Sequence, residues 1–301
     1  MVYDLIVVGG GPGGYTTALY GARAGLRVLV LERLAPGGQM ALTHQVDNYP
    51  GFPQGVNGYA LAQSMYEQAL HFGAESKFTE VKTLALEQTP KRIDTDSGSY
   101  YAHTVVIATG ADPRKLGLPR EEELTGKGVA YCAACDGMFY KGKTVAVVGG
   151  GNTALTDALL LSRVAKQVYL IHRREEFRAD RVSLQAAQNA GNVQILTNAQ
   201  VTELLGQERL TGVRVRRGED QQVLSCDGLF VSIGRKPASA PVAGQLDLDD
   251  GGYIVAGEDT RTNIPGVFVV GDVRTKQVRQ IVTALADGAV AVHQAEAYLA
   301  K

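Results

Sequence analysis

Tyr3-Asp4-Leu5-Ile6-Val7-Val8-Gly9-Gly10-Gly11 and Lys143-Thr144-Val145-Ala146-Val147-Val148-Gly149-Gly150-Gly151 are one pattern used twice. Each is a β-branched apolar run entering a glycine turn. Each leads into a helical pattern, Thr16 to Ala24 and Thr153 to Val164, and then a second apolar strand, Val28 to Leu31 and Gln167 to Ile171. Strand, tight turn, helix, strand is the opening of a doubly wound parallel sheet. Gly9 and Gly149 make the turn. Gly11 and Gly151 let a pyrophosphate approach the backbone, and Gly14 and Ala154 let helix and strand pack closely. The helix N-terminus then offers free N–H groups and a positive dipole end to phosphate. One glycine fingerprint is weak evidence; two in the same context predict an α/β chain with two Rossmann-like, three-layer domains.

The copies differ at the nucleotide-reading position. Glu32 lies 23 residues after Gly9 and offers a carboxylate to ribose hydroxyls. The same offset from Gly149 reaches His172, followed by Arg173, Arg174 and Arg178. Guanidinium groups there suit a 2′-phosphate, so the second site is expected to take NADPH. The bland alternative is a solvated basic stretch paired with Glu175 and Glu176.

Between the two copies lies Cys132-Ala133-Ala134-Cys135-Asp136-Gly137. Two thiols three positions apart can close a small, readily reduced disulfide. A nicotinamide donor and a disulfide acceptor need a two-electron relay, which makes FAD the expected occupant of the first site. Gly37-Gly38-Gln39-Met40 offers a turn and an amide to the isoalloxazine. Ala108-Thr109-Gly110 ends the strand Val105 to Ala108, and Gly271-Asp272 follows the strand Val267 to Val270 with a carboxylate for ribitol. A helix starting near Gln280 points its N-terminus at the flavin. These segments join the first and last parts of the chain in one domain.

Composition limits the remainder. The chain has 301 residues, enough for two domains. Net charge is -1, with 45% hydrophobic and 20% charged residues. No electrostatic case exists for nucleic acid or an anionic membrane surface. No apolar run approaches the roughly 18 residues of a membrane span. With the first strand starting at about Val2, no signal peptide is expected. Three cysteines do not make a secreted disulfide framework. A cytoplasmic protein with one functional pair and a small buried hydrophobe, Cys226, is the expectation. Zinc is disfavoured, because Cys226 and the scattered His44, His71, His103, His172 and His293 supply no second ligand pair.

These stretches, with Pro12, Asn48-Tyr49-Pro50-Gly51, Asn152-Thr153 and Arg279-Gln280, resemble the low-molecular-weight, bacterial-type thioredoxin reductases over essentially the whole chain. The resemblance implies a homodimeric FAD enzyme. Residues 1–114 and 243–301 would form the FAD domain, and residues 115–242 an inserted NADPH domain carrying the redox disulfide. It implies that Cys132 and Cys135 are the redox pair, that Asp136 handles the proton and that thioredoxin is the partner. Pro12, Gly38, Gln39, Asn48, Ala108, Thr109, Gly110, Asp272, Arg279 and Gln280 would serve FAD; Asn152, Thr153, His172 and the three arginines would serve NADPH. Cys135, beside Asp136, is expected to face the flavin, and which cysteine attacks the partner stays open. Two departures stand out: both residues inside the cysteine loop are alanine, and Thr156-Asp157 stands where two acids are common. The flavin must meet both nicotinamide and disulfide, so the domains are expected to rotate on crossovers at Asp112 to Leu118 and Gly234 to Ala243. Rival readings are a dithiol oxidase on the same scaffold, a reductase of another thiol partner, and a flavin-binding sensor.

Overall fold

The computed structural model describes residues 1–43 and 45–301; His44 lies outside the described residues. The chain divides into two compact units, Met1–Asp112 with Lys236–Lys301, and Pro113–Arg235.

The first unit opens with β1 (Val2–Val8), α1 (Pro12–Arg23) and β2 (Val28–Glu32). β1 runs parallel to β2, with Leu5 beside Val28 and Val8 beside Leu31. Leu5, Ile6 and Val7 are all fully buried, as expected of a strand covered on both faces. α1 begins at the glycine turn itself, earlier than the apolar periodicity indicates, because Pro12 sits in its first turn. Its fixed φ suits that position, and its missing N–H would be unpaired there anyway. α2 (Gly58–His71) follows, capped by Asn57, whose side chain accepts from Ala60 N at 3.0 Å. Then come β3 (Glu75–Phe78), β4 (Val81–Ala85), β5 (Lys91–Thr95) and the long β6 (Gly98–Ile107). The sheet order is β3-β2-β1-β6-β5-β4. β1 is parallel to β6, whereas β4, β5 and β6 form an antiparallel meander.

The chain leaves this unit through β7 (Ala111–Pro113). The second unit contains α3 (Glu121–Leu124), β8 (Val129–Ala130), α4 (Ala133–Asp136), β9 (Thr144–Val148), α5 (Asn152–Ser162), β10 (Gln167–Ile171), α6 (Arg181–Asn189) and β11 (Val193–Leu196). β12 (Ala199–Leu205), β13 (Gly212–Arg217) and β14 (Asp220–Ser225) form a separate antiparallel sheet before β15 (Gly228–Val231) returns to the first. Its main sheet, β11-β10-β9-β15-β8, is parallel throughout. Ala154, Leu155, Ala158, Leu161 and Ala187 of α5 and α6 pack on one face with Val145 and Val147. Val201, Val213, Val215 and Leu224 of the antiparallel sheet pack on the other with Ala146 and Leu229. Alternation along the strands therefore builds three layers.

β16 (Arg235–Pro237) pairs with β7, so the two crossovers form a two-stranded ribbon. β17 (Val267–Val269) then joins β6 in parallel, and α7 (Ile281–Leu299) closes the chain. α7 lies against α1 at van der Waals distance. A methyl group on Gly288 would sit 2.7 Å from Gly13 O, and one on Gly13 would sit 3.0 Å from Ala284 O. No described helix is long and apolar enough to cross a membrane.

Candidate active site

Glycine chemistry builds the crevice of the first unit. Gly9 has φ +108°, and a methyl group there would lie 2.5 Å from Ala108 O. A methyl on Gly14 would lie 2.0 Å from Gly9 O, so helix and strand are as close as backbone permits. Gly11 is different: an added Cβ meets nothing within 4 Å. It fronts the N-terminus of α1, leaving open a cradle with N–H groups at its floor. A methyl on Gly38 would come within 3.6 Å of the Gly11 Cα, so the Gly37–Gly38 turn converges on this cradle. Gly37 N also donates to Gly10 O at 2.7 Å.

The other residues expected at the first site lie in the same unit. One Glu32 oxygen accepts from Gly10 N at 2.7 Å and the other from Leu34 N at 3.0 Å. A carboxylate has about four lone-pair sites, so both oxygens keep room for ribose hydroxyls. Gln39 Nε2 donates to Asp112 Oδ1 at 2.6 Å. Asn48 Nδ2 donates to Gln280 Oε1 at 3.0 Å, joining residues 232 apart in sequence. Gln280 is the N-cap of α7 in a capping box with Thr283. Thr109 Oγ1 donates to Ala238 O at 2.7 Å, and Ala238 N donates to Gly110 O at 2.9 Å. The backbone oxygen of Asp272 accepts from Arg279 Nε at 3.3 Å, and the Arg279 guanidinium stands 4.1 Å from the Tyr253 ring centroid.

The second unit repeats the cradle. A Cβ on Gly149 would lie 2.3 Å from Ser232 O, while one on Gly151 meets nothing within 4 Å. Asn152, the first residue of α5, accepts from Asp180 N at 2.8 Å, and Gly150 O accepts from Arg178 N at 2.8 Å. His172 is buried: its ring stacks on Phe177 at 4.6 Å and fills the space beside Gly150, where a Cβ would lie 2.0 Å from the ring. Its Nε2 lies 3.0 Å from Glu176 O, which can only accept, so that nitrogen carries the proton. The imidazole therefore shapes the loop from within. Arg173, Arg174 and Arg178 are exposed, and none forms an ion pair with Glu175 or Glu176 among the described residues.

Cys132 and Cys135 form a disulfide with Cα atoms 5.3 Å apart. Cys132 is the N-cap of α4; its Sγ accepts from Cys135 N at 3.2 Å, and its carbonyl accepts from Asp136 N at 3.0 Å. Both cysteines are half-buried, and the adjoining Met138 and Phe139 are 60% and 45% exposed. Cys226 is buried, which pushes its thiol up to about 12 with help from the Asp227 charge; it is held as an inert thiol. No cluster of three or more His, Cys, Asp or Glu suited to a metal exists among the described residues.

Three features carry no signal in sequence spacing. Glu121 is buried, accepts from Leu116, Gly117 and Leu118 N–H groups, and takes the Tyr131 hydroxyl at 2.8 Å. That links the start of the second unit to the residue before Cys132. Asp157, on α5, accepts from Ser232 Oγ; burial raises its carboxyl pKa, against the opposing pull of that bond and of Arg235. Asp287, on α7, sits in a buried ionic cluster with Arg274 and Lys276. Each needs two segments that only the fold brings together.

Residues 3–288 match the model of the pyridine nucleotide-disulphide oxidoreductase family. A thioredoxin reductase of Mycolicibacterium smegmatis is 43% identical over 304 residues, covering 100% of this chain and 97% of that protein. A bifunctional thioredoxin reductase/thioredoxin of Mycobacterium leprae is 42% identical over 304 residues, covering 100% of this chain and 66% of that one. The crystal structure of thioredoxin reductase from Streptococcus pyogenes superposes with a TM-score of 0.93 at 38% identity, over 99% of this chain and 98% of that one. With two fingerprints, a disulfide between them and similarity along its full length, this chain belongs to the pyridine nucleotide-disulphide oxidoreductases, among the low-molecular-weight, bacterial-type thioredoxin reductases.

Proposed function

We propose that the protein reduces thioredoxin at the expense of NADPH, with FAD held in the first unit and NADPH in the second. One observation carries the reading: the Cys132–Cys135 disulfide is half-buried beside two exposed apolar side chains, in the unit whose glycine cradle adjoins three exposed arginines. Both cradles fit a pyrophosphate, because Gly11 and Gly151 leave empty the space that a side chain would fill. Bound FAD supplies the two-electron relay from nicotinamide to disulfide.

The chain's own residues do the rest. The α1 and α5 N-termini take the pyrophosphates. Glu32 accepts from ribose hydroxyls, Asn48 and Gln280 hold each other at the start of α7, and Arg173, Arg174 and Arg178 take the 2′-phosphate. Once reduced, one thiolate of the pair attacks a thioredoxin sulfur, breaking the partner's S–S bond and leaving its second sulfur as thiolate. The other cysteine attacks the mixed disulfide, re-forms Cys132–Cys135 and releases the first partner sulfur. Asp136 gives and takes the proton at Cys135. Met138 and Phe139 offer apolar surface to a protein partner, which a small disulfide would not need. Between half-reactions the inserted unit turns on its crossover strands. The protein is cytoplasmic and dimeric in this reading. What supports the dimer is an apolar groove of about 420 Å³ among α1, α2 and α7, lined by Tyr20, Tyr49, Phe52, Met65 and Leu285.

The test is a coupled assay. NADPH should bleach the yellow protein anaerobically, and thioredoxin with a chromogenic disulfide should give continuous NADPH consumption. Bleaching without thioredoxin-dependent turnover assigns another thiol partner. Absence of bleaching favours a dithiol oxidase or sensor.

A further inference from the structure

Asp287 lies within α7, on its buried side, at a position where helices rarely carry an acid. Its carboxylate receives four contacts from one short stretch of chain. Oδ2 accepts from Gly271 N at 2.8 Å, Arg274 Nε at 3.0 Å and Lys276 Nζ at 2.7 Å; Oδ1 accepts from Arg274 Nη2 at 2.7 Å. Arg274 and Lys276 are themselves buried, with side chains 2% and 5% exposed. Lys276 Nζ also reaches Thr283 O at 3.2 Å, in the first turn of α7. From the other side, Arg279 donates to Asp272 O and Arg274 O, each at 3.3 Å. Gly271 has φ +74°, a left-handed turn that glycine adopts freely. One helix carboxylate therefore grips Gly271, Arg274 and Lys276, and Arg279 ties the rest of the stretch from Gly271 to Gln280 back onto it. Asp272 and Gln280, the residues assigned to the flavin, stand near its two ends.

A buried ionic cluster of one acid and two cations is a poor device for stability alone; apolar side chains of similar volume serve as well or better. It does fix geometry, since a carboxylate with three partners tolerates few arrangements. We propose that Asp287 is a positioning residue for the flavin: it sets the Gly271–Asp272 turn and the capped start of α7 in the shape that receives the cofactor before the cofactor arrives. The proposal rests on the reading of the first unit as a flavin site.

The experiment uses full-length, flavin-stripped protein and compares Asp287→Asn with Ile93→Ala, a core truncation in β5 that destabilises the same unit and removes none of the Asp287 hydrogen bonds. FAD affinity is read by fluorescence quenching, the bound spectrum by visible circular dichroism, and the Gly271–Gln280 segment by hydrogen exchange without flavin. Asp287→Asn should weaken FAD binding by about 30-fold or more, alter the visible dichroism and speed exchange selectively in that segment. Ile93→Ala should lower the melting temperature while leaving affinity within about 3-fold. Should Asp287→Asn not fold, Arg274→Lys keeps a cation, removes the two-pronged grip and should weaken FAD by about 10-fold. Variants that melt earlier but bind FAD with unchanged affinity and dichroism overturn the proposal and leave the flavin reading intact. Unmodified protein that takes up no FAD overturns both.

Discussion

Gly151→Ala separates a glycine kept for a ligand from one kept for the fold. Gly151 is the N-cap of α5 with φ −105° and ψ 179°, extended backbone that alanine adopts freely. Its added Cβ meets nothing within 4 Å. Two small terms then act on the nucleotide-free protein. Lower entropy of the unfolded chain favours alanine by about 0.4–1 kcal/mol. The preference for glycine over alanine at an N-cap opposes it by a similar amount, about 0.5–1 kcal/mol. They nearly cancel, so the melting temperature should stay within about 2 °C. The bound state has no such balance. In the proposed function the methyl group occupies the space through which a pyrophosphate would reach the N–H groups of α5. One or two charge-assisted hydrogen bonds, each worth about 1.5–3 kcal/mol, are lost or stretched. A loss of about 3 kcal/mol raises the NADPH dissociation constant roughly 150-fold.

Calorimetric titration with NADPH and a thermal melt without nucleotide, on the same preparation, test both halves. Gly14→Ala is the contrast: its Cβ would sit 2.0 Å from Gly9 O, backbone against backbone, with no flexible end to yield. That variant should fail to fold or lose its colour. Gly151→Ala protein that binds NADPH within about 3-fold of the parent would refute the placement of the pyrophosphate. A fall of more than about 5 °C without nucleotide would show that Gly151 serves the fold instead.

Three further outcomes are expected. Lys91 is buried with its ammonium donating to Leu86 O at 2.8 Å, and burial lowers its pKa. Lys91→Met should therefore raise the melting temperature by about 2–4 °C near pH 7, a gain of roughly 1 kcal/mol. The gain should shrink as pH climbs from the lowered folded pKa toward about 10.4, because the parent then sheds a proton that its unfolded chain still holds; a pH-independent difference would remove the charge from the explanation. Thr260 is fully buried at φ +61°, and its hydroxyl has no hydrogen-bond partner among the described residues. Thr260→Val keeps the branched shape and the backbone strain and deletes the orphan, so the melt should rise by about 2–4 °C, for about 1 kcal/mol; a lower melt would mean that the hydroxyl has a water partner. Arg173→Ala with Arg174→Ala should raise KM for NADPH by about 10- to 100-fold and leave residual NADH use unchanged, whereas equal losses with both nucleotides would take these residues off the 2′-phosphate.

These predictions divide by how far apart in sequence their causes lie. The two cradles were legible because a strand, a glycine turn and a helix start are local events, settled by φ, by bulk at Cβ and by helix-end N–H groups. The periodicity places the first helix four residues late, since Pro12 begins it at the turn itself, in positions without apolar rhythm, while the second starts within one residue of Thr153. Spacing put His172 at the end of a strand but not the direction of its ring, which packs beneath Gly150 and leaves the exposed arginines to face solvent. The antiparallel strands of the second unit were hidden as well: their inner Val201, Val213 and Val215 alternate with exposed or half-exposed polar residues, a weak period-two signal beside the long apolar parallel strands. The Asp287 cluster was beyond reach for a different reason. An acid in an alanine-rich helix and an Arg-x-Lys in a loop each read as solvated charge until the fold buries both. A buried charge becomes acceptable only when its partners are supplied, and partners 11 to 16 residues away on another element are a property of packing. Glycine cradles can thus be read from short stretches of chain, while the side chains that hold such loops in shape are selected by the tertiary structure. A substitution at Asp287 or Glu121 should accordingly disturb the site as much as one at a motif glycine, although neither residue belongs to a motif.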